Sequence, residues 1–379
     1  MANYEEELLA LFRTLHAHPE LGFEEFETTK AVQQRLEQAG IELVETGLPT
    51  GVVCAIGHGE GRCIGLRADM DALPMSEEAD LPYKSCVPGK MHACGHDFHT
   101  AAMLGAALLL KEREAELPGR ALIVFQPAEE LCEGARRVAE TGVLDEPEWF
   151  FGIHSYPEFE AGTLGLRPGA VMASVDRFRV TLRGVGSHAA SPHKGLDPIP
   201  VMAALIQSLQ TIVSRSVNPF SPVLLSVTHA QAGTTWNIIP QEALIEGTVR
   251  TMDEQERAEV KERFYRQVEG VCAAWGAHAE IDWMDGSPAV INDPGLCALA
   301  ESVAREMGFE VRQQEQTLGG EDFSEYLYRP VKRPGLFVRI GTGGGYAAHH
   351  PLFTVDPAAL WPASQYIARL AEAAMKKQR

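Results

Sequence analysis

The chain has 379 residues, 45% of them hydrophobic and 22% charged, with a formal net charge of −19. That length exceeds what one ordinary hydrophobic core organises, so two domains are expected. The acidic balance argues against a nucleic-acid partner, which wants a basic face, and no apolar run approaches the ~18 residues of a membrane span.

The first stretch alternates helical and strand-like runs. Apolar spacing predicts helices over 4–15 and 28–39, the second stopped by Gly40. Short apolar runs at 63–66, 121–125 and 150–153 suit strands of a buried parallel sheet, and 100–110 is an Ala- and Leu-rich helix. From Val175 the rhythm changes. Residues 177–183 alternate polar and apolar, as a half-exposed strand does, then come a helix over 198–214 and strands near 223–229 and 243–251. A helix over 254–274 and a strand over 278–283 complete the order strand–helix–strand–strand–helix–strand of a ferredoxin-like α+β domain. After Asn292-Asp293-Pro294 the first pattern resumes, with a helix over 295–307 and a strand over 335–340. The expected fold class is therefore α/β: a larger domain with a mixed, mostly parallel sheet, residues 1–173 and 292–379, carrying an inserted domain at 174–291.

Seven cysteines without close-spaced pairs fit reduced thiols, and the acidic start (Glu5, Glu6, Glu7) lacks the basic region of a signal peptide. A cytoplasmic location is expected.

The chemistry concentrates in Met91-His92-Ala93-Cys94-Gly95-His96-Asp97-Phe98-His99, where thiol, imidazole and carboxylate groups crowd into nine residues. These are the usual ligands of a divalent transition metal, although one local cluster rarely completes a coordination shell. The strand-like runs supply more. Residues 63–66 lead into Arg67-Ala68-Asp69-Met70-Asp71, residues 121–125 into Gln126-Pro127-Ala128-Glu129-Glu130, and residues 150–153 into His154. The run at 335–340 leads through a glycine-rich loop to His349-His350-Pro351. Open α/β sheets bind ligands beyond the carboxyl ends of their strands, so these groups converge on one edge and a metal site is expected there. Gly343 to Gly345 do not read as a phosphate cradle, since no Lys-Ser/Thr follows.

Together with Gly186-Ser187-His188-Ala189-Ala190 and Glu321-Asp322-Phe323-Ser324, and with the stretch from His16 to Glu24, these motifs resemble the metal-dependent amidohydrolases. That group includes hippurate hydrolases, indole-acetyl-amino-acid hydrolases and N-acetyldiaminopimelate deacetylases, within the two-metal aminoacylase and carboxypeptidase clan. The resemblance spans nearly the whole chain and implies that the inserted domain serves as lid and homodimer interface. It implies metal ligands at Cys94, His96, Glu130, His154 and His349, the last chosen over His350 because it stands two residues before Pro351. Two divalent ions are implied, and a thiolate ligand favours Mn or Zn, with Co or Ni also compatible. Glu129 becomes the general base to a metal-activated water, and His188 an oxyanion donor reaching across the dimer. Asn237 and Arg250 resemble substrate contacts, and Asp69 and Asp71 resemble groups that orient the ligands. The strand end at Arg67-Ala68-Asp69 lacks the metal-binding histidine of other branches of the clan, in keeping with the use of Cys94. The implied activity is hydrolysis of N-acyl amino acids, a small-molecule substrate. A carboxypeptidase or dipeptidase on the same scaffold is the alternative, and a non-catalytic metal- or ligand-binding protein is a third reading.

Overall fold

A computed structural model describes residues 4–376 and divides into two compact units. One comprises the chain up to Gly169, Ile291–Glu315 and the chain from Asp322 onward; the other comprises Ala170–Val290 and Gln316–Glu321.

The first unit is built on an eight-stranded mixed sheet. At its centre, Cys63–Asp69 runs parallel to Arg120–Gln126 on one side and to Trp149–Tyr156 on the other, and Trp149–Tyr156 runs parallel to Gly335–Gly341. Asp69 lies opposite Gln126, and His154 opposite Arg339, so the four carboxyl ends reach one edge of the sheet. These strands are almost wholly buried because helices cover them, which is why they read as continuous apolar runs. Flanking them, Glu42–Val44 and Val52–Ile56 add antiparallel strands, and Thr163–Leu166 and Glu310–Gln313 extend the other side.

The helix His96–Glu112 is buried nearly all round and packs against Tyr4–Ala17 and Leu360–Lys376. A helix can be buried on every side only if apolar side chains cover its whole circumference, and Ala101, Ala102, Met103, Leu104, Ala106 and Ala107 do so here. The helix Pro294–Glu306 starts cleanly: Asp293 accepts from the amides of Gly295 and Leu296, and Pro294 occupies the first turn, where its missing N–H costs nothing.

The second unit has a four-stranded antiparallel sheet made by Asp176–Arg183, Val223–Ala232, Glu242–Thr251 and His278–Asp285. The two strands from residues 176 and 242 lie in its middle, and the helices Pro198–Thr211 and Glu254–Trp275 pack on it. Asp253 caps the second helix and Gly276, in the left-handed conformation, ends it. Phe178, Val180, Leu205, Ile245 and Phe264 fill the core of this unit. Among the described residues, no helix is long and apolar enough to cross a membrane.

Candidate metal centre

The sheet edge gathers five donor-bearing side chains from four separate segments. The thiol of Cys94, the imidazoles of His96 and His154, and separately Cys94 with Glu130 and His349, present ligand atoms that lie within 4.8 Å of one another. Cys94 belongs to both triads. His96, Glu129 and Glu130 form a third group within the same limit. Individual approaches are close: Cys94 Sγ to His154 Nε2 is 3.4 Å, His349 Nε2 to Glu130 Oε1 is 3.2 Å, and His96 Nε2 to Glu130 Oε1 is 3.9 Å.

Local backbone explains why Cys94 and His96 converge. The spacing suggests a loop at these residues, with the helix starting near 100; in the structure the helix begins at His96 itself. Gly95, at φ +84°, makes the left-handed turn into it, and a Cβ there would lie 2.4 Å from Ser155 Oγ. Glycine is thus required on two counts. Ser155 Oγ then donates to the Cys94 carbonyl at 3.0 Å, tying the loop to the strand that carries His154.

Hydrogen bonds aim the histidines. His154 Nδ1 lies 2.7 Å from the Ser155 carbonyl, which accepts only from an N–H, so the lone pair sits on Nε2, facing Cys94. His99 Nε2 accepts the Ser155 amide at 2.6 Å, so its proton is on Nδ1 and is donated to Asp69 at 2.5 Å. His96 Nδ1 stands 3.2 Å from Asp71. His349 adopts φ +66° and donates its amide to the Ala93 carbonyl at 2.7 Å, which brings its ring over Glu130. The neighbouring His350 points elsewhere: its Nδ1 accepts the Leu352 amide and its ring stacks on Tyr346.

The electrostatics favour a cation. A hydrogen bond to Cys94 and the Glu130 carboxylate push His349 up to about 10. Burial works against charge on His96, yet Asp69 and Cys94 outweigh it and hold it well above the usual histidine range. Burial, and then the neighbouring imidazole of His99, hold His154 well below that range. Burial raises the Cys94 thiol, and Glu130 adds to this. The groups that raise His96 and His349 are Asp69, Glu130 and the Cys94 sulfur, a set of neighbours that favours positive charge between them. His96 Nε2 is buried without a hydrogen bond, and Glu130 Oε1 has as charged contacts the imidazoles of His349 at 3.2 Å and His96 at 3.9 Å; buried polar atoms so sparsely paired are costly without a further partner. A thiol, three imidazoles and a carboxylate around such atoms suit a divalent transition metal rather than magnesium or calcium.

Asp69 and Asp71 lie beneath the donors. Asp71 accepts from the amides of both Glu129 and Glu130 at 3.0 Å. Burial alone would raise Asp69, but the Arg67 guanidinium and the imidazoles of His96 and His99 hold it well below the usual carboxylate range. His188, Asn237 and Arg250 are in the second unit. There His188 is exposed and pairs with Ile238 across a two-stranded ribbon, and the Ala189 amide donates to the Asn237 carbonyl at 3.1 Å. Arg250 lies opposite Leu224 in the main sheet of that unit.

The model of peptidase family M20/M25/M40 matches residues 65–373. The chain belongs to this family. Among the members most similar to it, N-acetylcysteine deacetylase of Bacillus subtilis is 46% identical over 366 residues, covering 96% of each chain. Thermostable carboxypeptidase 2 of Saccharolobus solfataricus is 37% identical over 362 residues, covering 93% of this chain and 91% of the other. A crystal structure of a Bacillus subtilis protein, described as a dinuclear metal-binding peptidase from the M20 family, superposes with a TM-score of 0.88 at 43% identity, covering 99% of both chains.

Several buried groups of this family member escape a reading of motifs. Arg67, fully buried, donates to Asp69 at 2.6 Å, to Asp322 at 2.8 Å and to Gln126 at 2.8 Å. Asp322, which by position suggests a pocket rim or a helix cap, is instead fully buried in this network. His16 is buried between Asp97 at 2.7 Å and Glu77 at 3.2 Å. His92 is buried with neither ring nitrogen hydrogen-bonded, and burial pushes it down to about 4. The signal that points to Arg67 is a charge inside an otherwise apolar strand.

Proposed function

We propose that this family member is a metal-dependent amidohydrolase that cleaves the acyl–amino bond of N-acyl amino acids, releasing a carboxylate and a free amino acid. The observation that carries this reading is the double triad sharing Cys94, with the Glu129 carboxylate beside its donors. The 46% identity to a deacetylase across almost the full chain supports it.

In this reading Cys94, His96, Glu130, His154 and His349 hold two divalent ions, Mn or Zn in preference to Co or Ni. When bound, the ions acidify water and polarise the acyl oxygen. Glu129 accepts the proton of the attacking water and returns it to the departing amine. Asp71 fixes the backbone on which Glu129 stands, and Asp69 orients His99 beneath the ligands. His188 donates to the developing oxyanion in the site of a second copy, across the dimer, and Asn237 and Arg250 take the substrate carboxylate. Residues 174–291 form a ferredoxin-like lid through which two copies of the chain associate, and the enzyme works in the cytoplasm. The strand order of the second unit, with the first and third strands central, supports the ferredoxin-like description.

The identity to a carboxypeptidase keeps one competitor in play, a peptidase acting on dipeptides or C-terminal residues. Protein loaded with Mn²⁺ or Zn²⁺ should hydrolyse N-acetyl and N-benzoyl amino acids faster than dipeptides. Glu129→Gln should lower kcat by roughly 10²–10⁴-fold. A clear preference for dipeptides would replace this reading with the competitor, and activity that survives complete chelation would remove both.

A further inference from the structure

Glu25 is fully buried and stands at the residue before the helix Phe26–Gln38, the position where a carboxylate ordinarily caps its own helix. It makes no such cap. Glu20 does that work, accepting from the amides of Glu27 at 3.1 Å and Thr28 at 2.9 Å. Glu25 Oε1 reaches across the unit and accepts the amide of Ala128 at 2.8 Å, while its Oε2 is buried without a hydrogen bond.

Ala128 adopts φ +53°, a left-handed conformation that costs a non-glycine residue about 1–2 kcal/mol. It immediately precedes Glu129 and Glu130. The approach of the two segments is also tight: a Cβ on Gly22 would lie 3.0 Å from Leu131 Cδ1 and 3.1 Å from Ala128 Cα. Three successive amides are thus clamped by two buried carboxylates, Ala128 by Glu25 and Glu129 and Glu130 by Asp71. A left-handed residue persists only where its surroundings over-determine it.

We infer that Glu25 is a positioning residue for the reaction: by holding the Ala128 amide it keeps the backbone turned so that Glu129 and Glu130 project toward the metal centre in their separate roles. This rests on the function proposed above. Loss of the clamp changes the direction of the base, not the affinity for substrate, and small misplacements of a reacting group are expensive in rate.

The test compares Glu25→Ala with Glu25→Gln, whose amide oxygen can still accept from Ala128. In Mn²⁺-loaded protein assayed with an N-acetyl amino acid, Glu25→Ala should lower kcat on the order of 10- to 100-fold with KM essentially unchanged. Glu25→Gln should restore most of that loss. Hydrogen exchange of the peptide covering 128–133 should accelerate in Glu25→Ala and return toward wild type in Glu25→Gln. Wild-type kcat in Glu25→Ala, a loss that Glu25→Gln does not repair, or unchanged exchange would each overturn the inference. If the wild-type protein hydrolyses neither N-acyl amino acids nor dipeptides, the proposed function fails and the exchange measurement alone decides whether Glu25 holds the turn.

Discussion

Arg67 carries a full charge at zero exposure and spends its donors on Asp69, Asp322 and Gln126. Removing one partner of such a set leaves an uncompensated buried charge, so Arg67→Met should destabilise by about 3–5 kcal/mol, measured by denaturant unfolding. Glu25 offers a prediction of a different kind. Burial, reinforced by Asp71 and opposed by the Ala128 amide, pushes its carboxyl from 4.5 up to about 7. The folded state therefore keeps a proton that the unfolded chain has already released, and stability attributable to Glu25 declines as pH rises from 4.5 to about 7. Glu25→Gln cannot titrate, so its melting temperature should gain on wild type across that interval and run parallel above it. A difference that is flat from pH 4.5 to 7 would show that Glu25 is not protonated in the fold. At this scale the donors themselves were legible from residue type and position, since thiol, imidazole and carboxylate at strand ends announce their chemistry. Glu25 and Asp322 were not, because a single acidic residue in a polar stretch looks the same whether it meets water or a backbone amide a hundred residues away.

Among the elements, the four central parallel strands were readable from their apolar runs, and the second unit from its alternation. The short strands Glu42–Val44 and Glu310–Gln313 were not, for they lie at the sheet margins, are nowhere fully buried and carry no strong pattern. The early start of the helix His96–Glu112 was missed for a related reason. Its first turn carries His96, Asp97 and His99, whose polarity suggests a loop, yet all three are buried by tertiary contacts. Gly95 is the hinge of this arrangement. Gly95→Ala should cost about 1–2 kcal/mol for the left-handed backbone alone, and the close approach to Ser155 should displace Cys94 relative to His154. Weaker Mn²⁺ binding in calorimetry together with a lower melting temperature is the expected result; unaltered metal affinity would mean the strand and loop move together.

For the molecule as a whole, a cation that binds only the native state adds to its stability, by about 2.7 kcal/mol at a concentration a hundredfold above Kd. A thermal scan with and without Mn²⁺ or Zn²⁺ should show this rise, and chelation should reverse it. The proton on His349, held up to about 10 by Cys94 and Glu130, must leave before a cation takes its ring nitrogen. Apparent affinity should therefore increase with pH over the range from about 6.5 toward 10, and the cation-induced shift in melting temperature should grow with it. A shift independent of pH would argue that His349 is not displaced. The net charge of −19 also raises the local concentration of cations at low ionic strength.

The donors of the double triad come from residues 94, 96, 130, 154 and 349, distributed along most of the chain. A growing polypeptide therefore cannot bring these five donors together until residue 349, in the loop that follows the strand Gly335–Gly341, has been synthesised. On the proposed ligand set, a copy truncated before His349 lacks one of the donors however well its early helices form, so its cation-induced rise in melting temperature should be smaller than that of the full chain.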